Sequence, residues 1–165
     1  MLYIGVIGSS SADEKLRKAA EKVGEELAKA SCILVCGGLT GVMEAAAKGA
    51  KKEGGLTVGI LPGFTKDEAN KYIDVKIVTA MSHARNAIVA RTADVLIAVG
   101  GELGTLSEIS LGLKMGKPVV ILEGVGGVGS RVEGLNEKVH FSKSPEEAVK
   151  LAQKLGGEGV EREPD

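Results

Sequence analysis

The stretch Asp94-Val95-Leu96-Ile97-Ala98-Val99-Gly100-Gly101-Glu102-Leu103-Gly104-Thr105-Leu106-Ser107-Glu108 decides the fold. Val95 to Val99 form an apolar run of strand length, the glycines interrupt it, and Leu106, Ile109 and Leu113 then recur at helical spacing. The order is strand, glycine turn, helix. Adjacent glycines, with Gly104 beyond them, admit backbone conformations closed to residues that carry a β-carbon. A helix that follows such a turn opens with unpaired N–H groups and the positive end of its dipole, which together favour an anion. A phosphate-type ligand is expected at Gly100, Gly101, Gly104 and Thr105, with Glu108 as the nearest group able to do chemistry.

The same alternation runs through the chain. Residues 2–7 read as a buried strand ahead of Gly8-Ser9-Ser10-Ser11, and Leu16, Ala19, Ala20, Val23 and Leu27 then mark one face of a helix. Ile33 to Cys36 lead into Gly37-Gly38-Leu39-Thr40-Gly41 and a helix that stops near Glu53. Strands follow at 57–61 and 75–78, then a helix to about Thr92, strands at 119–122 and 138–141, and a last helix ending near Gly156. Ser11 with Glu14, Thr105 with Glu108, and Ser144 with Glu147 each match the capping box at a helix start. Residues 64–73 read as polar turns, and 124–134 as a glycine-rich loop with few anchors.

Strands alternating with helices imply an α/β, Rossmann-like, doubly wound and mainly parallel sheet of about seven strands with helices on both faces. Residues 1–156 are expected to form one domain, with 157–165 a polar tail. In such a sheet every strand-to-helix turn lies at the same edge, where ligands bind. The turns after Ile7, Cys36, Val78 and Val99 should therefore share one crevice, and the spacing Gly-Gly-x-x-Gly occurs in two of them, at Gly37–Gly41 and Gly100–Gly104.

Composition narrows the ligand. Hydrophobic residues make up 44% and charged residues 26% of 165, an ordinary globular balance. Aromatics at 2% are too few for the stacking platforms of single-strand binders, and a net charge of −1 removes the electrostatic basis for nucleic-acid binding. No apolar run approaches the roughly 18 residues of a membrane helix, and the N-terminus lacks the basic region of a signal peptide, so a cytoplasmic protein is expected. Cys32 and Cys36, four apart on one strand, would lie about 13 Å from each other, too far for a disulfide. With only His83 and His140 besides, no metal site is expected.

Within the crevice the candidate ligand-binding residues are Gly8, Ser9, Ser10, Gly37, Gly38, Gly41, Arg85, Asn86, Gly100, Gly101, Gly104 and Thr105. Neither the Gly-x-Gly-x-x-Gly of dinucleotide folds nor the Gly-Lys-Ser/Thr of phosphate loops is present, which disfavours NAD and ATP. Arg85 offers a planar fork suited to phosphate. Glu108 divides between helix cap and chemistry; a carboxylate repels phosphate but suits a ribose hydroxyl or a developing positive charge. His83 reads as an ordinary helix-start residue, and Arg91 and Asp94 as structural groups at the opposite edge.

The runs Gly37-Gly38-Leu39-Thr40-Gly41-Val42-Met43-Glu44-Ala45-Ala46, Gly55-Leu56-Thr57-Val58-Gly59-Ile60-Leu61-Pro62, Ala84-Arg85-Asn86 and Gly100 to Glu108, in that order, resemble the SLOG superfamily. That superfamily includes the LOG-type nucleoside 5′-monophosphate phosphoribohydrolases, formerly called lysine decarboxylases, and the chain is most similar to the branch holding the molybdenum cofactor carrier proteins. The carrier branch implies binding of a phosphorylated pterin–molybdenum cofactor and no required cofactor. The LOG branch implies cleavage of the N-glycosidic bond of a bound nucleoside monophosphate, with Arg85 and Glu108 at the positions of its catalytic pair. Here Val99 stands where those enzymes usually have proline, and Met81-Ser82-His83-Ala84-Arg85-Asn86 replaces a Met-His-Glu-Arg-Lys-like context. Either branch implies a homo-oligomer, dimer or tetramer. A pyridoxal-binding lysine site for decarboxylation has no candidate.

Overall fold

The computed structural model describes residues 1–158. Seven strands form one sheet: β1 (Tyr3–Gly8), β2 (Ile33–Cys36), β3 (Thr57–Leu61), β4 (Val75–Val78), β5 (Val95–Val99), β6 (Val119–Leu122) and β7 (Val139–Ser142). Their order is β4-β3-β2-β1-β5-β6-β7, and every pairing is parallel. The chain winds outward from β1 to β4, then crosses back to build the other half. Its direction reverses between β1 and β5, where Gly8 pairs with Val99. That is the topological switch point, the place where open parallel sheets hold ligands.

Both faces of the sheet are covered, which is why its central strands are apolar at every position rather than alternating with polar residues. Ile4, Val6, Leu34, Cys36, Ile97 and Val99 face helices α1 (Glu14–Lys29), α2 (Val42–Lys52) and α6 (Pro145–Gly157). Ile7, Ile33, Val35, Leu96 and Ala98 face α3 (Asn86–Thr92), α4 (Leu103–Lys114) and the short α5 (Gly129–Val132). β4 closes one edge, and all four of its residues are exposed.

α1 and α2 cross with their backbones almost touching. A β-carbon on Gly24 would stand 1.9 Å from the Ala46 carbonyl oxygen, and one on Gly49 would stand 1.9 Å from that of Glu21. Glycine at both positions sets the distance between the helices.

The helix starts differ from the capping-box reading in two of three places. Asp13, not Ser11, caps α1: its backbone is extended and its carboxylate accepts from the Leu16 N–H at 2.8 Å. Ser11 instead donates its N–H to Ser9 Oγ. α4 begins at Leu103, so Thr105 and Glu108 lie inside the helix and neither caps it. The third reading holds: Ser144 accepts from the Glu147 N–H, while Glu147 reaches back to the Lys143 N–H. The glycine-rich loop is also anchored, since Val128 and Val132 are buried in the core. The last helix ends at Gly157, and residues 159–165 of the expected tail lie outside the described residues.

Candidate functional site

The turns after β1, β2, β4 and β5 meet around a hollow of about 410 Å³ at the switch point. Gly8, Ser9 and Ser10 line it from the first turn and Gly37 from the second. Arg85 enters from the turn ahead of α3 and Asn86 from its first position, and Gly104, Thr105 and Glu108 come from the first turns of α4. The remaining glycines of the expected site shape its walls without lining it. Gly41 caps α2 with φ +68 and leaves no room for a β-carbon beside the Ser9 and Ser10 backbone. Gly38 packs on Leu61, Gly100 on Leu16 and Gly101 on Thr105, each at positive φ. In these places glycine lets one turn settle against another.

Arg85 is the best-buried cation of the hollow, with 9% of its surface exposed. It can lie across the end of β2 because Gly37 has no side chain; a β-carbon there would be 2.5 Å from Nη2. Nη2 donates to the Gly37 carbonyl at 3.4 Å and Nη1 donates to Asn86 Oδ1. Nε is buried without a hydrogen-bond partner. Asn86 Nδ2 donates in turn to Ser107 Oγ at 3.2 Å, and Ser107 to the Gly104 carbonyl at 2.6 Å. This relay ties the arginine to the first turn of α4, so Asn86 and Ser107 position Arg85.

Glu108 lies in the same hollow, 6% exposed, and no ion pair joins it to Arg85 among the described residues. Burial pushes its carboxyl up to about 7, against the pull of the Arg85 charge. Burial likewise lowers Arg85 from its ordinary value, opposed by Glu108 and Cys36. The guanidinium still keeps its charge near neutrality, while Glu108 is poised between neutral and ionised. Cys36 sits behind the hollow, fully buried, its thiol pushed up to about 12 by desolvation and its Sγ accepting from the Gly38 N–H. It is inert and does not line the hollow.

Several lining residues escape the sequence reading: Leu39, Met43, Pro62, Ser82, His83 and Glu102. His83 stands in a 3-10 turn, Ser82–Arg85, that precedes α3. Ser82 itself has φ +51 and Ala80 has φ +54, strained values for residues with side chains. Hydrogen bonds from the Ala80 and Ser82 N–H groups to the Gly63 and Pro62 carbonyls hold that strain in place. The sequence signal was the Ser-His-Ala-Arg run itself, which carries no glycine to mark an unusual turn. Asp94 accepts from the Tyr3 N–H at the opposite edge, away from this chemistry.

A buried arginine, a helix N-terminus and serine-glycine backbone suit an anion, while Glu108 suits a hydroxyl or N–H beside it. Among known proteins, one of Archaeoglobus fulgidus described only as uncharacterized is 49% identical over 131 residues, covering 76% of this chain and 86% of that protein. A probable cytokinin riboside 5′-monophosphate phosphoribohydrolase of Oryza sativa subsp. japonica is 35% identical over 107 residues, 62% of this chain and 47% of that one. The structure of the molybdenum cofactor binding protein from Rippkaea orientalis superposes with a TM-score of 0.86 at 38% identity, covering 93% of this chain and 96% of that one. The molybdenum cofactor carrier protein of Chlamydomonas reinhardtii gives 0.84 at 35% identity, covering 94% and 98%. The model of the SLOG cluster4 family matches residues 1–154, and the chain belongs to that family.

Proposed function

We propose that this protein binds and carries a phosphate-bearing small molecule, with molybdenum cofactor as its cargo. The observation that carries the reading is the buried, tethered Arg85 facing a wall of serine-glycine backbone and the start of α4. The phosphate would take the N–H groups of that wall and the charge of Arg85, and the proposed binding residues are those that line the hollow. Glu108 would hold a hydroxyl or N–H of the same ligand. No thiolate lines the hollow among the described residues, so the cargo's metal would keep its own sulfur ligands. The structural relatives that bind or carry molybdenum cofactor support this choice over a nucleotide. We further propose a cytoplasmic homo-oligomer, dimer or tetramer, with no nucleic-acid or membrane partner. No described helix is long and apolar enough to cross a membrane.

The test is co-purification. Full-length protein from cells that make the cofactor should release an oxidised, fluorescent pterin on acid treatment and should slow the decay of added cofactor. Neither pterin nor protection would overturn the reading.

A second reading has its own support in Arg85 and a carboxyl poised near neutrality lining one hollow, and in the phosphoribohydrolase relative. In it water adds to C1′ of a nucleoside 5′-monophosphate as the C–N bond breaks and its electron pair leaves with the base. Glu108 would hold the ribose hydroxyls and stabilise the oxocarbenium-like centre, while Arg85 orients the phosphate or assists the leaving base. Release of free base from a nucleotide panel, abolished by Glu108→Ala, would establish it; no base released would exclude it.

A further inference from the structure

A second hollow of about 420 Å³ opens at the carboxyl ends of β6 and β7, beside the first. The two share a thin wall. Gly127, on the rim of the second, packs so closely on the Gly100–Gly101 peptide that a β-carbon there would stand 2.4 Å from the Gly100 carbonyl carbon.

The chemistry of this hollow differs from that of its neighbour. Its lining includes no lysine or arginine, so no cation in it would pair with a phosphate. Ile121 and Phe141 supply apolar and aromatic surface. Glu123 and Glu133 supply carboxylates, and neither enters an ion pair or side-chain hydrogen bond among the described residues. The N–H groups of Gly124, Gly126 and Gly127 make no backbone hydrogen bond among the described residues either. A planar ring is thus offered an aromatic side chain, carboxylates that accept paired N–H groups, and backbone donors for a carbonyl oxygen. A carboxylate accepts two parallel N–H bonds from one planar edge just as it does from a guanidinium fork.

We propose that this hollow is a second subsite of the same ligand and takes a 2-amino-4-oxopyrimidine edge, the hydrogen-bonding face shared by pterins and guanine. The proposal rests on the carrier reading for the idea that one ligand spans both hollows, its phosphate beside Arg85 and its ring beyond the Gly100–Gly127 wall. The ring subsite is complete without a phosphate, so the two can be tested apart.

The experiment titrates full-length protein with 6-hydroxymethylpterin, which has no phosphate, and follows its fluorescence, with and without saturating inorganic phosphate. Guanosine and adenosine serve as competitors, because adenosine lacks the edge. Pterin should bind alone and alongside phosphate, and adenosine should not compete. The exposed-residue variants Glu123→Gln and Glu133→Gln together should weaken binding at least about tenfold, as expected for charge-assisted hydrogen bonds. Arg85→Ala should leave pterin binding intact while abolishing that of phosphate. Competition by guanosine at equal strength would assign the subsite to guanine as well as to pterin. Absence of pterin and guanosine binding, unchanged binding by the double variant, or loss of pterin binding in Arg85→Ala would overturn the subsite. Pterin binding without phosphate binding would instead overturn the carrier reading and leave the subsite standing.

Discussion

Arg85 and Glu108 are two buried ionisable groups with opposite tasks, and the environment of each sets what it can do. Nε of Arg85 is buried without a partner and Nη2 has one long bond, so an anion that draws the guanidinium into the hollow completes bonds the fold leaves open. Arg85→Ala is expected to weaken binding of AMP, used as a phosphate probe, by tenfold or more in calorimetric titration. Glu108 makes the pH dependence explicit. Its folded value of about 7 lies above the ordinary 4.5, so its favourable contribution is complete below about 4.5 and is lost as pH rises through 7. The difference amounts to roughly 3 kcal/mol at high pH. Glu108→Gln should therefore be more stable than the natural protein at pH 9 by up to about that amount, and nearly equal to it at pH 4.5, in urea unfolding. Sulfate, whose charge is constant over the range, should bind the natural protein more tightly at pH 6 than at pH 8.5, and that slope should vanish in Glu108→Gln. An equal slope in both proteins would show that another group governs it.

The elements place these residues through close backbone contacts rather than through long side chains. α1 and α2 meet at Gly24 and Gly49, and α2 begins at Gly41, pressed on the Ser9–Ser10 turn. Crowding at that crossing thus reaches the wall of the hollow. Gly24→Ala should lower the urea midpoint by the equivalent of about 3 kcal/mol or more, with an unchanged slope, because backbone rather than a flexible side chain stands in the way. The capping pattern at Thr105 to Glu108 was legible in the sequence but misleading. The Gly101 turn, at φ +105, starts α4 at Leu103 and draws Thr105 and Glu108 into the helix. Ser144 keeps its cap because Pro145 at the first helical position leaves the chain no earlier start.

At the scale of the molecule, a seven-stranded parallel sheet buries both faces and gathers four turns at one switch point. Its two cysteines are buried free thiols, and Cys36 is held far from ionisation. Cys36 should resist a disulfide reagent such as Ellman's in the folded protein, and both thiols should react at once in urea. β4 leaves an exposed edge with Val75, Ile77 and Val78 accessible, while Leu103 and Phe64 stand exposed beside residues that line the hollow. Light scattering is expected to return twice or four times the monomer mass; a monomer would overturn the oligomer.

The sequence by itself determined the order of elements, the parallel sheet and the edge at which its turns converge. Hydrophobic period and glycine position encode those locally, and parallel sheets admit few alternatives. It also marked Arg85, Asn86 and Glu108, because they follow strands at the edge where a parallel sheet holds its ligands. Only the tertiary structure decided which glycines line the hollow and which let the walls close, since both share one sequence signature. It alone showed that Ser107 holds Asn86, that Ser82 adopts a strained backbone, and that Gly127 packs on the Gly100–Gly101 peptide. Those are contacts between distant segments, and a residue's burial and charge state depend on neighbours that the chain brings together only when folded.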